Sequence, residues 1–377
     1  MNIDFKKKAE AFIADLPYKQ TPYSNRNWGH SWHSLCSYHG KLKPAIAHLL
    51  ISQFTNAGDV VLDPLCGVGT IPFEACLQGR IGIGNDLSEM AHIVTKAKIE
   101  KPNYSEVQAV LHSLEEHIIN NKNKHSVEEY KDFGFNGMLP SYFHPETYKE
   151  ILAARDFLLS RVKNPSAAES MVFSALLHIL HGNRPYALSR HSHPLTPYAP
   201  TGEFEYKNVV DKAIQKIVSN YNEVEFDNYK FGQAVYGDYS SLSKKHIKAD
   251  CIISSPPFAD SIRFYMNNWM RLWLCGWETD DYKSADDLFL DTKQKKNFDV
   301  YLSFFEMCNS VLSPGGKVIL HLGKTSKIDM AKELSTRATK WFDVVYCAGE
   351  NVKQIERHGI KDKGNTIEHQ YLFLQKK

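Results

Sequence analysis

Apolar positions recur along this chain at two different intervals, and the interval changes with the segment. In "MNIDFKKKAEAFIADL" charges flank short apolar steps at helical spacing, which predicts an amphipathic N-terminal helix. "PAIAHLLISQF", residues 44–54, repeats that spacing behind a starting proline and predicts a second helix. Val60, Val61 and Leu62 are then consecutive apolar residues running into a glycine turn, the pattern of a short buried strand. "IPFEACLQG" reads as a helix closed by Gly79, "RIGIGND" as a strand, and "SEMAHIVTKAKIE" as a helix with Ser88 as N-cap and Glu89 in its first turn. Strand, helix, strand and helix at this spacing predict a βαβ unit with parallel strands.

The alternation then stops. From about Lys101 to Phe231 the pattern is mostly helical, as in "YKEILAARDFLLSRV" and "AAESMVFSALLHILHG". Strand character returns at "AVYGDYSSL" and "ADCIISSPPF"; "YLSFFEMCNSVLSPGGKVILHLG" predicts a helix, a Pro-Gly-Gly turn and a strand. "WFDVVYCAG" and "HQYLFLQKK" supply a final strand pair. The expected organisation is therefore a helical arm over residues 1–36, one α/β domain over 37–100 and 231–377, and a helical insertion over 101–230. No internal repeat or low-complexity segment interrupts it.

Composition narrows the class only a little. Hydrophobic residues make up 43% of the 377, enough for a sizeable core, and the formal net charge is +2. A near-neutral total neither announces nor excludes a nucleic-acid partner, because a local basic patch decides that. The seven cysteines are dispersed with no Cys-x-x-Cys pair, so no zinc or redox motif is visible. With no apolar run resembling a signal sequence or a membrane span, a soluble protein of the reducing cytoplasm is expected.

Two stretches carry candidate chemistry. "DPLCGVGT", Asp63 to Thr70, ends the first predicted strand; Gly67 and Gly69 let the backbone approach a ligand where a side chain would collide. A dinucleotide fingerprint wants a third glycine where Pro72 stands, and the Gly-Lys-Ser/Thr of a P-loop is absent, so neither a pyrophosphate nor a nucleoside triphosphate is supported. Asp86 ends the second strand, where a carboxylate can accept from two ribose hydroxyls. Acids at both places suit a nucleoside that carries a positive centre. The second stretch is "CIISSPPF". Adjacent prolines cannot donate to a ladder, so the strand stops there and leaves a stiff corner carrying Ser255, Pro256, Pro257 and Phe258.

"VVLDPLCGVGTIPFEA" resembles the cofactor motif of S-adenosyl-L-methionine-dependent methyltransferases, and "CIISSPPF" resembles the amino-methylating motif of their nucleic-acid branch, most closely the DNA cytosine-N4 enzymes. "SYHGKLKPAIAHLLI" is similar to the segment that lies against the methionine end of the cofactor in many of them. The resemblance implies an α/β, Rossmann-like fold with a mostly parallel seven-stranded sheet, an antiparallel final strand and a helical insertion. It implies cofactor contacts from Asp63, Pro64, Cys66, Gly67, Gly69, Thr70 and Asp86, with Asp238 accepting from the adenine amino group and Lys41 near the cofactor carboxylate. The Ser255 side chain and the Pro256 carbonyl would accept the two hydrogens of an exocyclic amine, and Phe258 would stack on a base flipped out of DNA. Tyrosine is commoner than Phe258 at that place, and many cytosine-N4 enzymes carry the two motifs in the opposite order.

The insertion supplies "HGNRPYALSRHSHPLTPY", where arginines and tyrosines mix. Arg184, Tyr186 and Arg190 there, with Arg263 after the corner, are candidate nucleic-acid contacts. His181, His191 and His193 complete no familiar metal spacing, so no metal is expected. "DSIRFYMNNWMRLWLCGW" has helical spacing from Ile262 through Trp273 and predicts a core helix whose Arg263 and Asn267 could face the cleft. The leading expectation is methylation of an exocyclic amino group of a DNA base, cytosine N4 in preference to adenine N6, with a cognate restriction endonuclease as a candidate partner. The alternatives are an RNA guanine-N2 methyltransferase and a silent binding protein of the same fold.

Overall fold

The computed structural model describes residues 3–25, 28–222, 226–259, 263–352 and 365–377, with the backbone of 356–357 and 360–361. Seven strands, β1 (Val60–Asp63), β2 (Ile81–Asp86), β3 (Gln233–Tyr236), β4 (Ala249–Ser254), β5 (Leu312–Lys324), β6 (Phe342–Asn351) and β7 (Glu368–Lys376), join in the order β3-β2-β1-β4-β5-β7-β6. β1 to β5 pair in parallel, whereas β7 runs antiparallel to both β5 and β6. This is the expected Rossmann-like sheet with its antiparallel last strand.

Period-two alternation assigns the two faces. Leu62, Ile252, Val318, Leu320 and Leu374 pack with Phe304, Phe305 and Cys308 of the helix Val300–Val311. Val61, Cys251, Ile253, Ile319 and Phe373 pack with Phe5 and Phe12 of α1 (Ile3–Asp15) and with α2 (Pro44–Phe54). Each large side chain so buried contributes roughly 1.5–3 kcal/mol. β1 and β2 are linked by α3 (Thr70–Leu77), and β2 leads into α4 (Glu89–Ile99).

Between α4 and β3 come α5 (Tyr104–Asn121), α6 (Pro145–Leu159), α7 (Ala167–Ile179) and α8 (Val209–Tyr221). α7 starts with a reciprocal cap in which Ser166 Oγ accepts from Glu169 N and the Glu169 carboxylate accepts from Ser166 N. It packs on α4, so these helices and α4 share one apolar cluster. Trp32 of the N-terminal segment, fully buried, ties the two together: its ring stacks on Phe73 of α3 and its Nε1 donates to Asn220 O of α8.

Three local expectations change. Ser88 holds the N-cap position of α4, but its hydroxyl makes no cap bond; its N–H instead donates to Asp86 Oδ1, which draws the turn toward that carboxylate. The Pro-Gly-Gly turn lies inside β5 as an irregularity, the register passing from Ala249↔Leu312 to Cys251↔Lys317 with Gly315 at φ +72°. The segment after the corner is two short helices, Phe264–Asn267 and Trp269–Leu274, broken at Asn268. Ile262 lies outside the described residues, while Tyr265, Trp269, Leu272 and Trp273 are buried core.

Candidate cofactor and amino-acceptor site

The chain leaves β1 for β2 and β3 on one side and returns to β4 on the other. A crevice therefore opens at the carboxyl ends of β1 and β4, the switch point where open α/β sheets bind ligands. Asp63 ends β1 and Ser254 ends β4, and across the switch Ser254 Oγ donates to Asp63 Oδ1 at 2.7 Å. Leu65 N donates to the same oxygen at 3.1 Å. Asp63 is 3% exposed, and burial pushes its carboxyl up to about 7 against the lowering effect of those two bonds. Asp86 accepts from Gly67 N and Ser88 N at 2.9 Å each, one bond per oxygen, so each oxygen keeps a lone pair for a ligand hydroxyl. Burial raises Asp86 to about 6.

The glycine turn is held from beneath by α4. Gly67 and Gly69 have φ of +51° and +71°, and a Cβ at Gly69 would lie 2.7 Å from Thr95 Oγ1. Thr95 Oγ1 donates to Gly67 O at 3.0 Å, and the fully buried Lys98 donates through Nζ to Val68 O. Cys66 N donates to Asn85 O at 3.0 Å, Asn85 Nδ2 donates to Pro64 O at 3.1 Å, and Thr70 begins α3. Tyr38 roofs the turn, its hydroxyl 3.3 Å from where a Cβ on Gly67 would stand. Thr95 and Lys98 were not singled out from the sequence; a lysine on the buried face of α4 was the available sign.

Asp238 follows β3, where Gly237 N donates to Asp86 O at 3.0 Å and so sets it beside the end of β2. Its Oδ1 accepts from Ser240 N at 2.9 Å and caps the short helix Tyr239–Lys244. Lys41 is turned to its own segment, with Nζ donating to His33 O at 2.7 Å.

At the corner, Ser255 Oγ lies 3.1 Å from Nδ1 of His321 on β5. The carbonyl of Pro257 accepts from Gln294 Nε2 at 2.9 Å, and Gln294 Oε1 accepts from Tyr301 OH at 2.8 Å. Two buried side chains thus hold the corner from behind. Phe258 lies over β5, its ring 5.5 Å from that of His321 and 5.8 Å from that of His369. Only glycine permits this at position 323, where a Cβ would fall 2.5 Å from the Phe258 ring. His321, Gln294 and Tyr301 were not singled out from the sequence, because each reaches the corner from a distant part of the chain.

The other candidates divide. Arg184 and Tyr186 line a cavity of about 310 Å³ together with Lys41, and the Tyr186 hydroxyl lies 3.0 Å from His178 Nε2. Arg190 is used internally, donating to Gly202 O at 2.7 Å and Ser141 O at 3.1 Å with its guanidinium 4.5 Å from the Phe204 ring centre. Arg263 pairs with Asp286 at 3.4 Å and donates to Tyr265 OH. Asn267 is buried, its Oδ1 accepting from Thr196 Oγ1 at 3.0 Å, so it ties the insertion loop rather than facing the cleft. His181 Nδ1 donates to His193 O at 3.1 Å, and among the described residues no three His, Cys, Asp or Glu side chains form a group that could hold a metal ion. Nor, among those residues, is any helix long and apolar enough to cross a membrane.

Residues 32–127 match the family described as UPF0020, RMKL-like, methyltransferase domain. Over 79 residues the chain is 27% identical to the Type II methyltransferase M.MjaII of Methanocaldococcus jannaschii, which covers 21% of this chain and 15% of that protein. Among solved structures, TrmN from Thermus thermophilus is 13% identical with a TM-score of 0.33, over 90% of this chain and 50% of that one. A TehB-like SAM-dependent methyltransferase from Corynebacterium glutamicum is 12% identical with a TM-score of 0.28, over 88% and 86% of the two chains. The family match spans the glycine turn and both of its acids, and the turn fits the group it implies: Gly67 is free of a side chain beneath Tyr38, and Asp86 keeps a lone pair on each oxygen. Residues 32–127 thus match a methyltransferase domain within a chain whose whole sheet is Rossmann-like, and the cofactor is S-adenosyl-L-methionine.

Proposed function

We propose that the protein methylates an exocyclic amino group of a nucleic-acid base, with cytosine N4 in DNA as the preferred target. The observation that carries this reading is Ser255, fixed beside His321 on a proline corner next to the cofactor switch point. When bound, S-adenosyl-L-methionine supplies an electrophilic methyl group. The remaining work falls to the chain. An exocyclic amine is a poor nucleophile while its lone pair is delocalised into the ring. Acceptors at Ser255 Oγ and Pro256 O draw its hydrogens out of plane, and Gln294 keeps the corner from shifting. Methyl transfer leaves the nitrogen with a proton to lose. That proton passes to Ser255 Oγ as the serine hydroxyl proton passes to His321 Nδ1, which leaves His321 protonated and serine neutral. Phe258, half-buried over Gly323, offers a ring edge or face to the base. Asp63, Asp86 and Asp238 hold the cofactor side, and Arg184 and Tyr186 lie on the insertion toward the polymer. Residues 101–230 are the substrate-recognition region in this reading, and a restriction endonuclease sharing the target sequence is its natural partner.

A second reading, an RNA amino-methyltransferase, is favoured by the aromatic surface of the insertion. Tyr198, Phe204 and Tyr206 are all exposed, which suits stacking on unpaired bases. Nucleoside mass spectrometry on DNA and RNA from cells expressing the wild type or Ser255→Ala separates the readings. N4-methylcytosine in DNA, absent from the variant, is the expected result. A new methylated base in RNA alone selects the second reading, and no new mark in either polymer overturns both.

A further inference from the structure

Beyond the methyl-transfer site, the cavity behind Tyr38 has an unusual charge balance. It is lined by Lys41, His178, His181, Arg184, Tyr186 and Lys216, brought together from the N-terminal segment, the end of α7, the insertion loop and α8. Lys216 is 6% exposed and donates to Ser34 O at 3.0 Å and Asn220 Oδ1 at 3.2 Å. Arg271, fully buried, donates to the carbonyls of Leu177, Pro194 and Leu195, the last two of which line the cavity. Lys98 is buried nearby on Val68 O. Among the described residues none of Lys41, Lys98, Lys216 and Arg271 forms an ion pair with a carboxylate. Carbonyl dipoles solvate these cations but do not neutralise them, and an uncompensated buried charge costs several kcal/mol.

Two further observations suit the cavity to an anion. His181 is 2% exposed and its Nε2 has no hydrogen-bond partner, although its Nδ1 is satisfied by His193 O. Burial depresses the Lys216 ammonium to about 8, and both His178 and His181 are pushed well below their ordinary range by burial and then by neighbouring cations. An entering anion reverses all of these at once. Arg184 is exposed and marks the solvent side. A volume of about 310 Å³ holds one phosphate with the sugar attached to it, and is larger than a lone carboxylate needs.

We propose that this cavity is a phosphate-binding site, taking a phosphate group of a nucleic-acid strand that enters past Arg184. Free phosphate or a mononucleotide offers the same chemistry, so the test has two arms, both run without methyl donor and hence independent of whether methylation occurs. In the first, inorganic phosphate is titrated against thermal unfolding of the wild type, Lys216→Met and Arg184→Glu. Saturating phosphate is expected to raise the midpoint by about 2–4 °C in the wild type and by less than half of that in either variant. Arg184→Glu lies at the surface and keeps the test alive should Lys216→Met fail to fold. In the second arm, a short single-stranded oligonucleotide is expected to bind about tenfold more weakly to Arg184→Glu, with phosphate competing against it. A phosphate effect with no loss of oligonucleotide binding upholds the site and assigns it to free phosphate or a mononucleotide. Equal phosphate shifts in all three proteins overturn the proposal. So does loss of the shift on saturation with S-adenosylhomocysteine, which would make the cavity the seat of the cofactor carboxylate.

Discussion

The two sides of Tyr38, the glycine turn and the insertion cavity, bury opposite charges by opposite means. On the glycine-turn side, Asp63 and Asp86 sit on N–H and O–H donors, and burial raises both carboxyls to about 7 and about 6. On the insertion side, Lys216 and Arg271 sit on carbonyl oxygens, and burial lowers the pKa of both. The acids are suited to a cationic sulfonium nucleoside, the bases to an anion. Ligand character is thus written in which dipoles the protein offers its own buried charges.

The comparison breaks most severely at Gly69. A valine there meets Thr95 in a left-handed backbone position, and Gly69→Val is expected to cost about 3 kcal/mol or more in stability and to abolish cofactor binding; calorimetric unfolding and titration read both. Asp86→Asn is expected to weaken cofactor binding about tenfold, or about 1.4 kcal/mol, through the lost charge-assisted bonds. It also sharpens the pH argument. Folding raises Asp63 and Asp86 above the ordinary 3.8, so the folded apo-protein binds more protons than the unfolded chain between about pH 4 and 7, and its stability falls as pH rises through that window. Cofactor affinity should run the other way, strengthening as Asp86 ionises near pH 6, and Asp86→Asn should flatten that rise. The smallest effect expected is that of Tyr301→Phe, which removes one buried bond to Gln294 and should cost about 1 kcal/mol on thermal unfolding with a modest fall in turnover.

How much of this was legible in the chain follows from the range of the contacts. The glycine turn, the acids ending β1 and β2 and the proline corner are each local, so spacing and backbone restrictions reveal them. The helices 44–54 and 89–99 were likewise legible from periodicity and a first-turn proline or acid. His321, Gln294 and Tyr301 were not, since His321 meets the corner only after β5 docks on β4, and the other two only after their helices pack against it. Ser88 shows the opposite limit: the position was readable, but the hydroxyl's partner was not, because Asp86 takes the N–H instead. Arg190 and Asn267 looked like ligand contacts because composition cannot show that backbone carbonyls and Thr196 already occupy them.

The most direct test of the central claim is single-turnover methyl transfer to DNA by the wild type and Ser255→Ala at saturating cofactor, with cofactor affinity measured on the same preparations. The account predicts a rate lower by about 10²–10³-fold in the variant, with affinity unchanged within about twofold. An unchanged rate, or a loss explained by weaker cofactor binding, would contradict the assignment of Ser255 as the amino-acceptor group.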